Sequence, residues 1–150
     1  MVESAVARRC VLVVDDDAFV RQALARELAE FDVVEAGNYA QALRCLAERP
    51  DISVVVTDCD FGSGPNGIEL LKHVRMQAPH VARIMVSASI DERTGRELVV
   101  AGLVRSFHTK PWAHRAVLVA VEECPLSDVH STPALAYCAK SAYSAVKKRT

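Results

Sequence analysis

The 150-residue sequence predicts an α/β fold, a doubly wound five-stranded parallel sheet with helices on both faces. Two observations carry this prediction. Short runs of apolar, mostly β-branched residues alternate strictly with amphipathic segments of helical length, as successive βαβ units require. The runs also lack the polar alternation of a strand with one solvated face, so we expect them to be buried on both faces.

The elements follow one another with short connections. The expected strands cover residues 10–14, 31–36, 52–57, 81–86 and 103–108. The expected helices cover residues 18–30, 39–48, 67 to just before Pro79, 92–101 and 112–123. Asp17, Asn38 and Asp91 precede three of these helices, and their side chains can accept the free N–H groups of a first turn.

The chain is expected to hold one domain over residues 1–124, with residues 125–150 added to it. Within this addition, residues 125–132 have the composition of a linker. Residues 134–148 predict an extra C-terminal amphipathic helix, with the Ser131-Thr132-Pro133 start signal before it. The added segment is too small to be a separate effector domain.

The composition excludes several classes of protein. A hydrophobic share of 51% and a charged share of 25% are those of a soluble globular domain. A net charge of −1 gives no reason to expect nucleic acid or an anionic membrane as partner. The apolar run after Arg8-Arg9 is too short for a signal peptide or a membrane span. Five cysteines without C-x-x-C spacing favour reduced thiols, so we expect a cytoplasmic protein.

Carboxylates follow the first and third predicted strands. Asp15, Asp16 and Asp17 come directly after the first, and Asp58 comes directly after the third. Parallel strands present their last residues at one edge of the sheet, where α/β folds bind their ligands. If these strands are neighbours, the repulsion between the converging carboxylates would be costly without a bound cation. The sequence therefore predicts a metal site with an acidic nucleophile beside it.

Two more polar signals complete a set. Ser87 follows the fourth strand, and Lys110-Pro111 follows the fifth. With Asp15-Asp16 and Asp58, they occupy strand ends in an order that resembles a response-regulator receiver domain of the chemotaxis-receiver type. The resemblance covers about residues 9–124, and it implies a flavodoxin-like sheet with strand order 2-1-3-4-5. A single acidic pair or Lys-Pro means little, whereas five ordered positions are a specific signal.

The resemblance implies a role for each acidic residue. Asp58 would be the phosphoacceptor, taking a phosphoryl group from a histidine kinase or a histidine phosphotransfer protein. Asp16 and Asp58 would bind Mg²⁺ (or Mn²⁺) directly, because such hard cations take oxygen ligands. Asp15 would act through water, and Asp60 through its backbone carbonyl.

The resemblance also implies roles for residues of the fourth and fifth strands. Lys110 would place a compact cation on a phosphoryl oxygen, aimed by a cis peptide bond before Pro111. Ser87 would hydrogen-bond another phosphoryl oxygen. Phe107 occupies the position of the switching aromatic, which would turn inward as Ser87 moves and so alter the surface.

The implied function is signalling rather than enzymatic turnover, limited to self-catalysed phosphotransfer and autodephosphorylation. The output is a changed surface for a downstream protein target, with no direct binding of nucleic acid or membrane. A homodimer through the fourth helix, fifth strand and fifth helix is compatible with the resemblance.

Two alternative functions stay open at this stage. Asp58-Cys59-Asp60 matches the D-x-D opening of haloacid-dehalogenase-like phosphatases, with Asp58 as nucleophile and Asp60 as general acid. That family places its acidic pair after the lysine, whereas Asp15-Asp16 precedes Lys110 here. The other alternative is a receiver-like binding module that never uses phosphate.

Overall fold

The computed structural model describes residues 8–125, which form a five-stranded sheet flanked by five helices. The strands are β1 (Cys10–Val14), β2 (Asp32–Ala36), β3 (Ile52–Thr57), β4 (Ala82–Ser87) and β5 (Ser106–Thr109). The helices are α1 (Ala18–Glu27), α2 (Tyr39–Glu48), α3 (Gly67–Gln77), α4 (Glu92–Val100) and α5 (Ala116–Glu122). All strand pairs are parallel and the order is β2-β1-β3-β4-β5, which confirms the predicted fold class and topology.

The helices divide into two layers, each closing one hydrophobic core. On one face, α2, α3 and α4 cover side chains such as Leu12, Val55 and Met85. On the other face, α1 and α5 cover Val11, Val13 and their neighbours. All five residues of β1 are buried, because this central strand has helices on both sides. The absence of polar alternation in the sequence is thereby explained.

Three of the predicted helix starts are confirmed by side-chain capping bonds. Asp17 accepts the N–H of Phe19, Asn38 that of Gln41, and Asp91 that of Thr94. Each cap satisfies a backbone donor that has no partner within its own helix.

Three predicted strands begin too early. β2 starts at Asp32 rather than at 31. Leu103 and Val104 are buried, but their N–H groups bond the carbonyl of Leu98 at the end of α4. They close a helix instead of joining the sheet, so β5 starts at Ser106 rather than at 103. Val81 likewise donates its N–H to Ala78 and completes the turn after α3.

Two predicted helices are too long. α1 ends at Glu27 rather than at 30, because Leu28 is its C-cap and the chain then turns through an N–H bond from Phe31 to Leu28. α5 begins at Ala116 rather than at Trp112. Arg115, directly before it, has a left-handed φ of 64°, which interrupts any helix running through this point.

The predicted C-terminal helix over residues 134–148 lies outside the described residues, as does the predicted linker beyond Pro125. Within residues 8–125, no helix has both the length and the apolar character that crossing a bilayer demands.

The amino edge of the sheet carries an acidic group of its own. Arg49 donates to Asp32 at 2.8 Å and to Asp51 at 2.9 Å, and its guanidinium lies 3.4 Å from the Sγ of Cys10. These partners stand at the starts of β1, β2 and β3, so one planar cation fastens three strands.

His108 gives the fold a pH dependence that can be tested. Its Nε2 lies 3.0 Å from Ser106 Oγ, and burial lowers the pKa of the imidazole below its ordinary 6.5, although the charge of Glu27 opposes this. As pH falls through 6.5, the unfolded chain takes up the proton first, so folding stability is lost. We expect His108→Gln, which cannot be protonated, to lose less stability than the wild type between pH 8 and pH 5.5 in urea unfolding.

The exposed His80→Gln variant is the control, and it should lose stability in parallel with the wild type. An identical pH dependence in His108→Gln and wild type would show that the buried imidazole does not contribute.

Candidate functional site

The strands deliver their last residues to one edge through backbone bonds that extend the sheet by one position. Asp58 donates its N–H to Val14 at 2.9 Å, which holds it beside the end of β1. Lys110 donates to Ser87 at 3.1 Å, which holds it beside the end of β4. The order of strands thus places side chains from distant parts of the chain at a common edge.

Three carboxylates meet there. Asp15, Asp16 and Asp58 each offer an oxygen, and these oxygens all lie within 4.8 Å of one another. Asp15 is only 1% exposed and Asp58 only 7%, whereas Asp16 is open to solvent. Oxygen donors on one open face are the ligands that Mg²⁺ and similar hard cations take, so the residues present fit such an ion.

Lys110 supplies the internal cation of this cluster. Its Nζ lies 2.7 Å from Asp15 Oδ2 and 3.4 Å from Asp58 Oδ2. Burial disfavours the charged lysine, but the hydrogen bond and charge of Asp15, with the charge of Asp58, outweigh it and raise the pKa of Lys110. The lysine therefore stays protonated between the two aspartates.

Asp15 is held on several sides. Burial raises the pKa of its carboxyl group, against the hydrogen bond from Lys110, which favours the ionised form. Its Oδ1 accepts the N–H of Asp17 at 2.9 Å. Arg21 donates to its backbone carbonyl at 2.7 Å and also pairs with Glu35. The backbone at the start of α1 is fixed relative to the carboxylates.

Asp58 is held by the residue that follows it and by the first residue of α3. Its Oδ1 accepts the N–H of Cys59 at 2.7 Å, which leaves Oδ2 facing Lys110. Gly67 packs directly on the backbone of Asp58, and a Cβ at this position would overlap the carbonyl of Asp58. Only glycine permits this approach of helix to strand end.

Ser87 and Phe107 lie on the neighbouring strands β4 and β5. The fully buried hydroxyl of Ser87 accepts the N–H of Ser89 at 3.1 Å and lies 3.1 Å from the Ser89 hydroxyl. The ring of Phe107 rests against Gly95 in the middle of α4, where a Cβ would overlap the ring carbons. Phe107 is half-buried in this seat.

The structure brings Asp15, Asp16, Asp58 and Lys110 together, and it has the predicted cis bond between Lys110 and Pro111. The carboxylate of Asp60 stands apart from them. It is exposed and accepts the N–H of Gly62 in its own loop at 2.9 Å.

Sequence reasoning missed two residues of this region. Gly95 has a detectable signal, since glycine inside a predicted helix costs roughly 1 kcal/mol relative to alanine and so indicates a packing reason. Arg21 has none, because an arginine on the first turns of a helix is ordinary and its bond to the Asp15 carbonyl depends on the tertiary arrangement.

Comparison with known proteins shows the family to which this chain belongs. The model of the response regulator receiver domain matches residues 11–122. The chain therefore belongs to the response-regulator receiver family, which functions in two-component signalling, and neither alternative function is favoured. Receiver domains generally depend on Mg²⁺ and interact with histidine kinases and downstream effectors.

Individual relatives agree with this assignment. The hydrogenase transcriptional regulatory protein HoxA of Cupriavidus necator is 35% identical over 106 residues, which is 68% of this chain and 21% of HoxA. The transcriptional regulatory protein AruR of Pseudomonas aeruginosa is 36% identical over 88 residues, 55% of this chain and 35% of AruR. The chain thus spans only a minor part of both regulators.

Among solved structures, a response regulator receiver protein from Pseudomonas putida superposes with a TM-score of 0.69 at 30% identity. The match covers 79% of this chain and 98% of that one. The described residues therefore correspond to nearly an entire receiver.

The acidic cluster predicts stabilisation by magnesium. Binding to the folded state at ten times the dissociation constant adds about 1.4 kcal/mol and should raise the melting temperature by a few degrees. We expect this increase in the wild type and its loss in Asp16→Asn, measured by differential scanning calorimetry with and without Mg²⁺.

Asp17→Asn is the matched control. It removes one neighbouring charge while Asn still caps α1. A magnesium effect that persists in Asp16→Asn, or that disappears equally in Asp17→Asn, would contradict a site built from the Asp15, Asp16 and Asp58 carboxylates.

Proposed function

We propose that this receiver accepts a phosphoryl group on Asp58 in a magnesium-dependent reaction. The observation that supports the proposal is the grouping of three carboxylates, two of them almost completely buried, with the ammonium of Lys110 between Asp15 and Asp58. Such a group combines an anionic nucleophile with the positive charge that an incoming phosphoryl group requires.

The reaction is a displacement at phosphorus. A carboxylate oxygen of Asp58 forms the new P–O bond as the P–N bond of a phosphohistidine donor breaks. The histidine leaves with the electron pair of that bond and takes a proton from solvent when it departs as neutral imidazole. The product on this chain is an acyl phosphate, which water can hydrolyse back to the carboxylate.

The residues around Asp58 would hold the transferred group in complementary ways. A Mg²⁺ (or Mn²⁺) ion bound by Asp15, Asp16 and Asp58, with the Asp60 carbonyl, would screen the charge of the phosphoryl oxygens. Lys110, close to Asp58 Oδ2, is placed to bind one of these oxygens. The Ser87 hydroxyl would bind a second phosphoryl oxygen. To do so it must give up its hydrogen bonds with Ser89.

Phe107 would convert this local change into a change of surface. Ser87 pairs with Thr109 in the sheet register, and Phe107 stands two positions before Thr109 on the same strand. Residues two apart on a strand share a face, so a Ser87 side chain that moves toward the phosphoryl group changes the space next to the ring. The ring would then leave its seat at Gly95.

Exposed apolar residues support the proposed partner surfaces. Val99 and Val100 on α4 and Val119 on α5 are exposed, and they lie on the elements of the proposed homodimer or target surface. Phe19 is 80% exposed in the first turn of α1, beside the acidic edge where a histidine kinase or phosphotransfer protein must approach. A protein partner that docks there would remove this apolar surface from water.

In the proposed organisation, residues 1–124 are the receiver and residues 125–150 a linker with a C-terminal helix. The regulators HoxA and AruR are longer, so the receiver would serve as the input module of a regulator. A cytoplasmic location is proposed from the free thiols of Cys10, Cys45 and Cys59.

The phosphoacceptor can be tested directly. Incubation with acetyl phosphate and Mg²⁺, read by intact mass, should give a single labile phosphoryl adduct in the wild type. Chelation of Mg²⁺ should abolish the adduct, and Asp58→Asn should not form it, because the amide is not a nucleophile at this position.

Asp60→Asn is the control, since it leaves the backbone carbonyl of residue 60 in place and its amide oxygen can still accept the N–H of Gly62. It should be labelled once, like the wild type. Label retained in Asp58→Asn at the same peptide position, or steady hydrolysis of a small phosphomonoester that requires Asp60, would contradict the proposal.

The switch can be tested at Gly95. A methyl group there occupies the seat of the Phe107 ring, so Gly95→Ala should favour the displaced ring and with it the phosphorylated state. We expect the affinity for beryllofluoride in Mg²⁺ to rise at least about fivefold, the lower end of ordinary coupling between sites. Titration calorimetry measures this affinity.

The background Phe107→Ala separates the switch from the helix propensity of alanine. Without the ring, Gly95→Ala should leave the beryllofluoride affinity unchanged. The same gain in both backgrounds, or a reduced affinity with Phe107 present, would mean that the seat at Gly95 does not oppose activation.

A further inference from the structure

Helix α5 begins without a cap from its own sequence. Arg115, the residue before it, has φ 64° and ψ 8°, and its side chain makes no capping bond. The first N–H groups of a helix need acceptors from elsewhere. The N–H of Leu118, in the first turn, is accepted at 2.9 Å by Oε2 of Glu27, the last residue of α1. A carboxylate is also the favoured charge at a helix start.

The second oxygen of Glu27 holds the loop before α5. Its Oε1 accepts the indole N–H of Trp112 at 2.9 Å. The body of this tryptophan packs on the core between α1 and α5. One carboxylate therefore joins three parts of the chain, namely the end of α1, the loop after β5 and the first turn of α5.

This contact bears on the site because Trp112 comes two residues after Lys110. The backbone of Lys110 is fixed on one side by its bond to the Ser87 carbonyl. On the other side, the chain is next fixed at Trp112 and Leu118, in both cases by Glu27. The turn that aims the Lys110 ammonium at Asp15 and Asp58 is thus anchored at its far end by a residue of α1.

We propose that Glu27 is a positioning residue for Lys110, fastening the loop from residue 110 to residue 118 so that the ammonium stays aimed at the acidic cluster. The inference rests on the proposed function, because it concerns the rate at which Asp58 is phosphorylated. It assigns to α1 a second contribution, made from the end opposite to its acidic start.

Glu27→Gln is the principal variant. Glutamate has two acceptor oxygens, whereas glutamine has one carbonyl oxygen and an NH₂ group. In Glu27→Gln the NH₂ group would face one of the two donors, Trp112 or Leu118, so one of the two hydrogen bonds is lost. Small misplacement of a positioned group is enough to slow a reaction strongly. We expect the labelling rate at saturating acetyl phosphate to fall about tenfold or more, with Mg²⁺ affinity by calorimetry within about twofold of wild type.

Two further measurements separate positioning from general damage. The tryptophan emission should change in Glu27→Gln, because Trp112 is the only tryptophan in the sequence and loses its partner. Hydrogen exchange should rise in residues 110–118 and stay at the wild-type level in β1 and β3. Trp112→Phe, which keeps most of the packing but lacks the N–H, should also slow labelling.

Glu30→Gln is the matched control. It removes the same charge from an exposed residue just beyond α1, and it should label and exchange like the wild type. The inference is overturned if Glu27→Gln, with altered Trp112 emission, is labelled at the wild-type rate. It is also overturned if rate and Mg²⁺ affinity fall in equal proportion, as general destabilisation predicts.

Failure of the proposed function would look different. In that case no variant, wild type included, would be labelled at Asp58. Hydrogen exchange then decides the inference, and unchanged protection of residues 110–118 in Glu27→Gln would overturn it.

Discussion

The ion pair between Lys110 and Asp15 is the interaction on which the functional edge depends. Three carboxylates within 4.8 Å repel one another, and burial makes that repulsion stronger because water screens it less. The ammonium of Lys110, which lies 95 residues further along the chain than Asp15, compensates for this repulsion. The sheet order makes this possible. Asp15 and Asp58 follow β1 and β3, and Lys110 follows β5, so all three lie at the same edge of the sheet.

The parts of the fold that follow from local pattern were predictable. Buried apolar runs ending on Asp15, Asp58, Ser87 and Lys110 indicate both the sheet and its functional edge, because a parallel sheet gathers the carboxyl ends of its strands. The caps Asp17, Asn38 and Asp91 were also predictable, since each of them bonds an N–H group within a few residues of sequence.

What could not be predicted depends on partners distant in sequence or on backbone states without a clear local signal. Leu103 and Val104 have the composition of a strand, yet their N–H groups bond the end of α4. The start of α5 is set by the left-handed Arg115 and by Glu27, which lies 91 residues away from Leu118. The Gly95 seat likewise requires knowing that the Phe107 ring faces α4.

The two faces of β5 serve different purposes. Phe107 is turned toward α4, where a single glycine makes room for its ring, whereas Trp112 after the strand is turned toward α1 and α5. Lys110 stands between these two attachments. Its position therefore depends on contacts with both helical layers.

The two edges of the sheet each carry a group of possible metal ligands, but the basic residue beside each group differs. Cys10, Asp32 and Asp51 also come within metal-binding range of one another, but the guanidinium of Arg49 already bonds both carboxylates with its planar donors. That permanent counterion is built from the chain itself, and a dissolved ion would have to displace it. At the opposite edge Lys110 bonds Asp15 and leaves Asp16 exposed to solvent, so one carboxylate of that cluster stays accessible to a dissolved ion.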